Sequence, residues 1–127
     1  MNKETAAWVR KAEADWLGVQ QLDAKEHRLN DLICFHCQQA AEKYLKALLQ
    51  ELGLPVPRTH DLEDLFDRLL PHDSTLRGMR RRLASLSQFA VDYRYPDMSG
   101  TTRQSKAALR ATARVREQLR RRLGLPN

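Results

Sequence analysis

The segment Tyr93-Arg94-Tyr95-Pro96-Asp97 carries the side chains best suited to holding an anion. A guanidinium between two phenol rings, at a turn stiffened by proline, can pair with a phosphate or stack on a base. The same residues also suit a plain helix-to-helix connection in which Tyr93 and Tyr95 cover one end of the core. Residue types alone leave both readings open. His60 has a similar pair. Near the start of a short helix its imidazole can bind an anion or move a proton, with Asp61 well placed in the first turn. More often such a histidine only bonds backbone and fixes its loop. A third group is Phe35, Gln39, Glu42 and Lys46, spaced i, i+4, i+7 and i+11 along one helical stripe. As a solvated face it needs nothing beyond a Glu42–Lys46 ion pair worth a few tenths of a kcal/mol.

Cys34 and Cys37 have the spacing of a metal or redox pair. Zinc normally takes four ligands, yet His27, His36, His60 and His72 are scattered and no second cysteine pair is present. A thioredoxin-type site needs a βαβ context that the sequence lacks. On a helical wheel both cysteines fall in the apolar arc, where free Cys acts as a small hydrophobe. The expectation is core filling, with no metal and no cofactor.

The elements that must position these groups read as helices. A first helix is expected from about Lys3 to Lys25, capped by Asn2, with Val9, Ala12, Trp16 and Val19 inside and Trp8 and Leu17 flanking. The second, capped by Asn30 or Asp31 and ending at Gly53, buries Ile33, Cys37, Ala40, Ala41, Tyr44, Leu48 and Leu52, with Cys34, Leu45 and Leu49 widening the arc to roughly half the circumference. So broad an arc suits a central helix or a subunit contact. A third helix spans about His60–Leu70 with Thr59 as cap and Leu62, Leu65, Phe66 and Leu69 inside. The fourth runs from Ser74 to about Val91, with a seam of Leu76, Met79, Leu83, Leu86 and Ala90 and with Arg77, Arg80, Arg81 and Arg82 outside. The fifth opens at Thr101 or Thr102 and reaches Leu123, with Ala108, Thr112, Val115, Leu119 and Leu123 opposite a row of Arg103, Arg110, Arg114 and Arg121. Residues 1–127 therefore form one all-α domain, a four- to five-helix antiparallel bundle.

The net charge of +6 is unevenly distributed. Residues 1–70 hold 9 Lys/Arg and 12 Asp/Glu; residues 71–127 hold 13 Lys/Arg and 4 Asp/Glu, and all but one of those 13 are arginine. Arginine forks match phosphates and carboxylates, so a nucleic acid or an acidic protein is a natural partner. No apolar run approaches the roughly 20 residues that span a bilayer. The start, Met1-Asn2-Lys3-Glu4-Thr5, leads into an amphipathic helix rather than a secretory apolar stretch. The expected setting is cytoplasmic, with no membrane partner.

Three blocks in order carry a family resemblance. Phe35-His36-Cys37-Gln38-Gln39-Ala40-Ala41-Glu42-Lys43-Tyr44-Leu45-Lys46-Ala47-Leu48-Leu49 resembles the second helix of HEPN domains; Thr59-His60-Asp61-Leu62 and Tyr93-Arg94-Tyr95-Pro96-Asp97 follow in the family's order. The resemblance runs from about Thr5 to Leu123. It implies a small helical module tied to nucleotides or RNA, a homodimer, and a minimal nucleotidyltransferase as a possible partner in a toxin–antitoxin-like pair. It also favours a functional role for Arg94, and the candidate nucleotide-binding set is Arg94, Tyr95, Tyr93, Asp97, Lys46, Glu42 and His60.

Ribonuclease members of the family use an arginine followed four to six residues later by a histidine, with the ribose 2′-hydroxyl as nucleophile. Here the positions after Arg94 at that spacing are Ser99, Gly100 and Thr101, and no histidine follows His72. Arg68 and His72 are too close and straddle Pro71. Loss of that general acid–base removes a contribution of about 10²–10⁴-fold. The leading expectation is a non-catalytic binding module. The alternatives are a metal-independent RNA endonuclease with a degenerate site, built on Arg94, His60 and Tyr95, and a protein-binding helical adaptor.

Overall fold

The computed structural model describes residues 1–92 and 95–127, with the side chains of 89–92 excepted. All regular elements among them are helical: α1 (Lys3–Asp23), α2 (Asn30–Glu51), α3 (Leu62–Leu69), two short 3₁₀ segments (Leu70–His72 and Ser74–Met79), α4 (Arg80–Asp92) and α5 (Thr102–Arg122). The Met1 amino group lies 3.8 Å from Glu51, at the far end of α2, so α1 and α2 run antiparallel. Lys106 meets Asp23 and Arg116 meets Glu13, which sets α5 antiparallel to α1 and hence along α2 in the same direction. Arg122 reaches Asp73 at 2.7 Å, closing the end of α5 onto the chain just before α4.

Helix α2 sits at the centre and packs on α1, α3, α4 and α5. Its expected apolar arc is buried from Ile33 through Leu49, but Leu52 is exposed because the helix has already ended. The width of the arc is thus accounted for by neighbours within one chain. Gly53 stops the helix in the left-handed region (φ 71°), with Leu54 N–H donating to Leu49 C=O at 2.9 Å and Gly53 N–H to Gln50 C=O at 3.1 Å. Gly124 (φ 73°) ends α5 by the same pair of bonds, from Leu125 to Arg120 and from Gly124 to Arg121.

The helix starts divide into expected and unexpected caps. Asn2 accepts from the Thr5 N–H at 2.8 Å, and Thr101 forms a capping box with Gln104. Neither Asn30 nor Asp31 caps α2. The cap position is Leu29, and the two polar side chains reach instead to Gly100, Asn30 Nδ2 donating to its carbonyl and Asp31 Oδ1 accepting its N–H at 2.6 Å. Thr59 does not cap α3 either. Asp61 does, accepting from Glu63 N–H at 3.0 Å, while Thr59 Oγ1 accepts the Asp61 N–H; His60 therefore lies in the loop before the helix. The expected fourth helix opens as the 3₁₀ segment Ser74–Met79 before turning α-helical at Arg80. Leu76, Met79, Leu83 and Leu86 form its buried seam as read; Ala90 lies outside the described side chains.

Beside this core, Glu13 ties α1 to α2 and α5. It accepts from Tyr44 Oη at 2.5 Å, Arg116 Nη2 at 2.6 Å and Arg116 Nε at 2.8 Å, and Arg120 Nη1 lies 3.4 Å away. Burial alone would push Glu13 up, but the bonds from Arg116 and Tyr44 and the charges of Arg116 and Arg120 outweigh it and hold the carboxyl below its ordinary 4.5. Tyr44 is pushed up to about 12, first by burial and then by the Glu13 carboxylate. Because the Glu13 pKa is depressed on folding, its contribution is present above the ordinary carboxylate range and is lost as the pH falls through the depressed value. Glu13→Ala should leave two half-buried guanidiniums without their acid and cost about 1–3 kcal/mol in urea denaturation at pH 7, with the deficit shrinking on acidification.

Cys34 and Cys37 are free and buried in the core. Burial pushes the thiols up to about 11 and about 12. Raised pKa values mean that the protonated thiols stabilise the fold fully below their ordinary 9.0, and that this is lost as the pH climbs through 11 and 12. At pH 8 a thiol reagent should label neither cysteine in the folded protein and both after denaturation; labelling of the native protein at the denatured rate would contradict their placement.

Candidate functional site

Glu42 and Lys46 do not form a solvated stripe. Their side chains are 4% and 7% exposed, and Nζ of Lys46 lies 3.1 Å from Oε2 of Glu42. Two structures cover them. From α1, the Trp8 ring stands under the Lys46 ammonium at 5.4 Å, a cation–π contact strengthened by low solvent access. From the loop before α3, His60 brings Nδ1 to 3.0 Å from Oε1 of Glu42. Gln38, one turn earlier on α2, donates to the His60 carbonyl at 2.9 Å and so pins the backbone of that loop. Its own carbonyl accepts from Gln39 at 2.8 Å.

The arrangement has a chemical consequence for His60. A carboxylate only accepts, so the bond to Glu42 places the proton on Nδ1 and leaves Nε2 as the free ring nitrogen. The histidine side chain is nevertheless 75% exposed. An imidazole fixed in one tautomer by a buried acid and open to solvent can accept a proton or, once protonated, donate to an anion. The buried part of the cluster pairs one negative with one positive side chain, which keeps its desolvation cost tolerable.

Of the candidate set read from the sequence, the structure brings together Glu42, Lys46 and His60. Tyr95 and Asp97 lie on the exposed loop before α5, and no hydrogen bond or ion pair among the described residues joins them to that cluster. Tyr93 and Arg94 lie outside the described residues. The loop is fixed at its far end, where Gly100 is held by Asn30 and Asp31. There Ser105 donates to Asn30 at 2.8 Å and accepts from Arg28 at 2.7 Å, while Arg28 also binds Asp23. A shallow pocket of about 280 Å³ opens beside this junction, between the start of α2 and Ser99–Gly100.

The arginines of α5 fall into two classes. Arg116 and Arg120 are bound to Glu13, and Arg122 to Asp73. Arg103, Arg110 and Arg114, on the opposite side, are exposed and have no partner among the described residues; Arg121 meets only Glu117, at 3.3 Å on its own helix. Sequence periodicity identified the outward row. It missed the inward class, because Glu13 and Asp73 are distant in the chain. Among the described residues no group of three or more His, Cys, Asp or Glu side chains is arranged to hold a metal ion, and no helix is long and apolar enough to cross a membrane.

The Glu42 cluster makes a specific energetic prediction. Glu42→Ala should strand the Lys46 ammonium in the interior and cost about 3–5 kcal/mol in chemical denaturation. Replacing both charges, Glu42→Leu with Lys46→Met, should recover most of that loss. A double variant no more stable than Glu42→Ala would mean that the pair is not desolvated as its burial indicates.

Comparison with protein families agrees with this architecture: the model of the HEPN domain matches residues 5–122, nearly the whole chain. No curated protein and no solved structure matches it. With its three ordered motifs set on a helical bundle, the chain belongs to the HEPN domain family.

Proposed function

We propose that this HEPN domain binds the phosphates of a nucleotide or an RNA strand, with α5 as the contact surface. One observation carries the reading: Arg103, Arg110 and Arg114 are exposed and have no partner among the described residues, although Arg116, Arg120 and Arg122 of the same helix each have an acid. Unpaired arginines along one face cover about 16 Å of helix from Arg103 to Arg114, at 1.5 Å per residue. Such a row neutralises successive phosphates and releases their counterions. Arg94, from the segment that resembles the family's turn before the last helix, is proposed as a further phosphate contact.

The domain acts as a homodimer in this reading. Leu29, Leu32 and Phe35 at the start of α2 are exposed, and in this reading they meet a second copy. A minimal nucleotidyltransferase is the proposed protein partner, in a toxin–antitoxin-like pair. A second reading, RNA cleavage, is favoured by the fixed tautomer and exposure of His60. It predicts metal-independent cleavage abolished by His60→Ala. An RNA left intact by the wild type removes it.

Titration of a short single-stranded RNA across salt concentrations tests the main reading. Four phosphate contacts, the row together with Arg94, give a slope of log K against log salt of about −3, and Arg114→Ala should make it shallower by about 0.7. Single substitutions in the row should each cost under about 1 kcal/mol. Arg94→Ala should cost about 1.5–3 kcal/mol, through loss of a charge-assisted bond. Variants are compared at unchanged melting temperature. Equal losses at Arg94 and Arg114 would reduce the turn to a connector, and the adaptor reading would then lead.

A further inference from the structure

We propose that the outer face of α1 docks an acidic amphipathic helix of a protein partner, one with apolar residues at its centre and carboxylates at both ends. The charges of α1 are sorted by direction. Its acids Glu13, Asp15 and Asp23 turn towards neighbouring helices and bind there: Glu13 to Arg116 and Arg120, Asp15 to His36 and Lys43, Asp23 to Lys106. Arg10 and Lys11 on α1, and Lys25 just past its end, are exposed, and their side chains have no partner among the described residues. The acids left without partners, Glu4 and Glu26, lie outside the interval from Arg10 to Lys25. Within that interval the face is positive and complements an acidic surface. The inference does not depend on the arginines of α5.

Between its cations this face is apolar and hollowed. One hollow, of about 310 Å³, is lined by Ala7 and Trp8 with Arg10 and Lys11. The second is the groove between α1 and α2, of about 380 Å³, where Ala14, Gly18 and Leu22 lie beside Lys25. Asp15 and His36, already bonded to each other at 2.8 Å, form the wall of this groove towards α2. Ala7, Lys11, Ala14, Gly18 and Lys25 fall within about 60° of one another around the helix, so the two hollows follow one line. Leu17, about 60° from Ala14, is 57% exposed beside that line.

The spacing of charge decides the occupant. Lys11 and Lys25 are separated by about 21 Å at 1.5 Å per residue, the length of four helical turns. A nucleic-acid strand carries charge without interruption and has nothing apolar to set against Leu17 or into the hollows. An amphipathic helix of four turns sets apolar side chains into both hollows and brings one carboxylate to Arg10 and Lys11 and another to Lys25. An apolar centre within a charged rim is also the ordinary anatomy of a protein interface.

The probe is a synthetic amphipathic helix of about 18 residues, with leucines along one face and a glutamate at each end about 21 Å apart. It is labelled for fluorescence anisotropy and titrated into the full chain. It should bind about tenfold more tightly than a version with glutamine for glutamate, and than a scrambled peptide of the same composition. Lys11→Glu combined with Lys25→Glu should remove that advantage, and a peptide with lysines in place of the glutamates should restore binding to this variant. Both positions are exposed, so the melting temperature should hold. Replacing Arg103, Arg110 and Arg114 with alanine should leave peptide binding as it was. Scrambled peptide binding as tightly as the amphipathic one would mean that the face attracts charge alone, and the proposal falls. Failure of the lysine peptide to rescue the reversed variant, or dependence on the α5 arginines, also overturns it. If the reversed variant loses a short RNA while the wild type ignores the peptide, the face belongs to nucleic acid and the docking site is refuted.

Discussion

The enclosure of α2 is the constraint on which the rest of the molecule depends. Four other helices pack on it, and the loop before α3 closes the side they leave open. A helix so covered cannot carry an unpaired charge, because an isolated buried ion costs several kcal/mol. Glu42 and Lys46 meet the condition at i, i+4, with the acid N-terminal to the base, the favourable order along a helix. Gln38 and His60 then satisfy what the pair leaves over. The His60 loop is therefore attached to the core by polar bonds rather than by apolar burial, which is how an exposed imidazole comes to be held in a fixed orientation.

The polarity of the chain looks different once these pairings are known. An acidic first half and a basic second half suggest an external anion, yet much of the asymmetry is internal: Glu13, Asp23 and Asp67 bind Arg116 and Arg120, Lys106 and Arg80 respectively. The case for an outside partner is thus carried by the remainder, which includes Arg103, Arg110 and Arg114 on α5 and Arg77, Arg81 and Arg82 around the start of α4. Net charge alone would overstate it. Position relative to the core decides it, since the same helix carries bound arginines toward its neighbours and unbound ones toward solvent.

How much of this was legible follows from the range of each interaction. Periodicity is local, so the buried seams of α2, α4 and α5 and the outward arginine row could be read directly, as could the stops at Gly53 and Gly124 and the Asn2 cap. The burial of Glu42 and Lys46 could not. On a wheel they share a face with half-exposed Phe35 and Gln39, and the groups that meet them, Trp8 on Lys46 and His60 on Glu42, arrive from elsewhere in the chain. Asn30 and Asp31 failed as caps for the same reason, because Gly100, some 70 residues on, competes for them. The Thr59 assignment erred locally: in Thr-His-Asp-Leu both Thr and Asp can cap, and the Asp61 carboxylate, next to the first helical residue, took the helix while the Thr59 hydroxyl took the Asp61 N–H.

Two histidines of this chain share one device. His60 and His36 each donate Nδ1–H to a carboxylate that also binds a lysine: Glu42 with Lys46 in one case, Asp15 with Lys43 in the other. All but one of those lysines and histidines lie on α2, so a single central helix organises proton-bearing groups on two of its flanks. The lysine balances the carboxylate, which lets the acid act as an orienting acceptor for the imidazole without leaving excess negative charge beside it. What remains is a free Nε2 at each position, one beside the loop to α3 and one in the groove against α1. Structural ion pairs would be complete without either histidine. What the attachment adds is orientation: each ring is held by a carboxylate whose charge a lysine already balances.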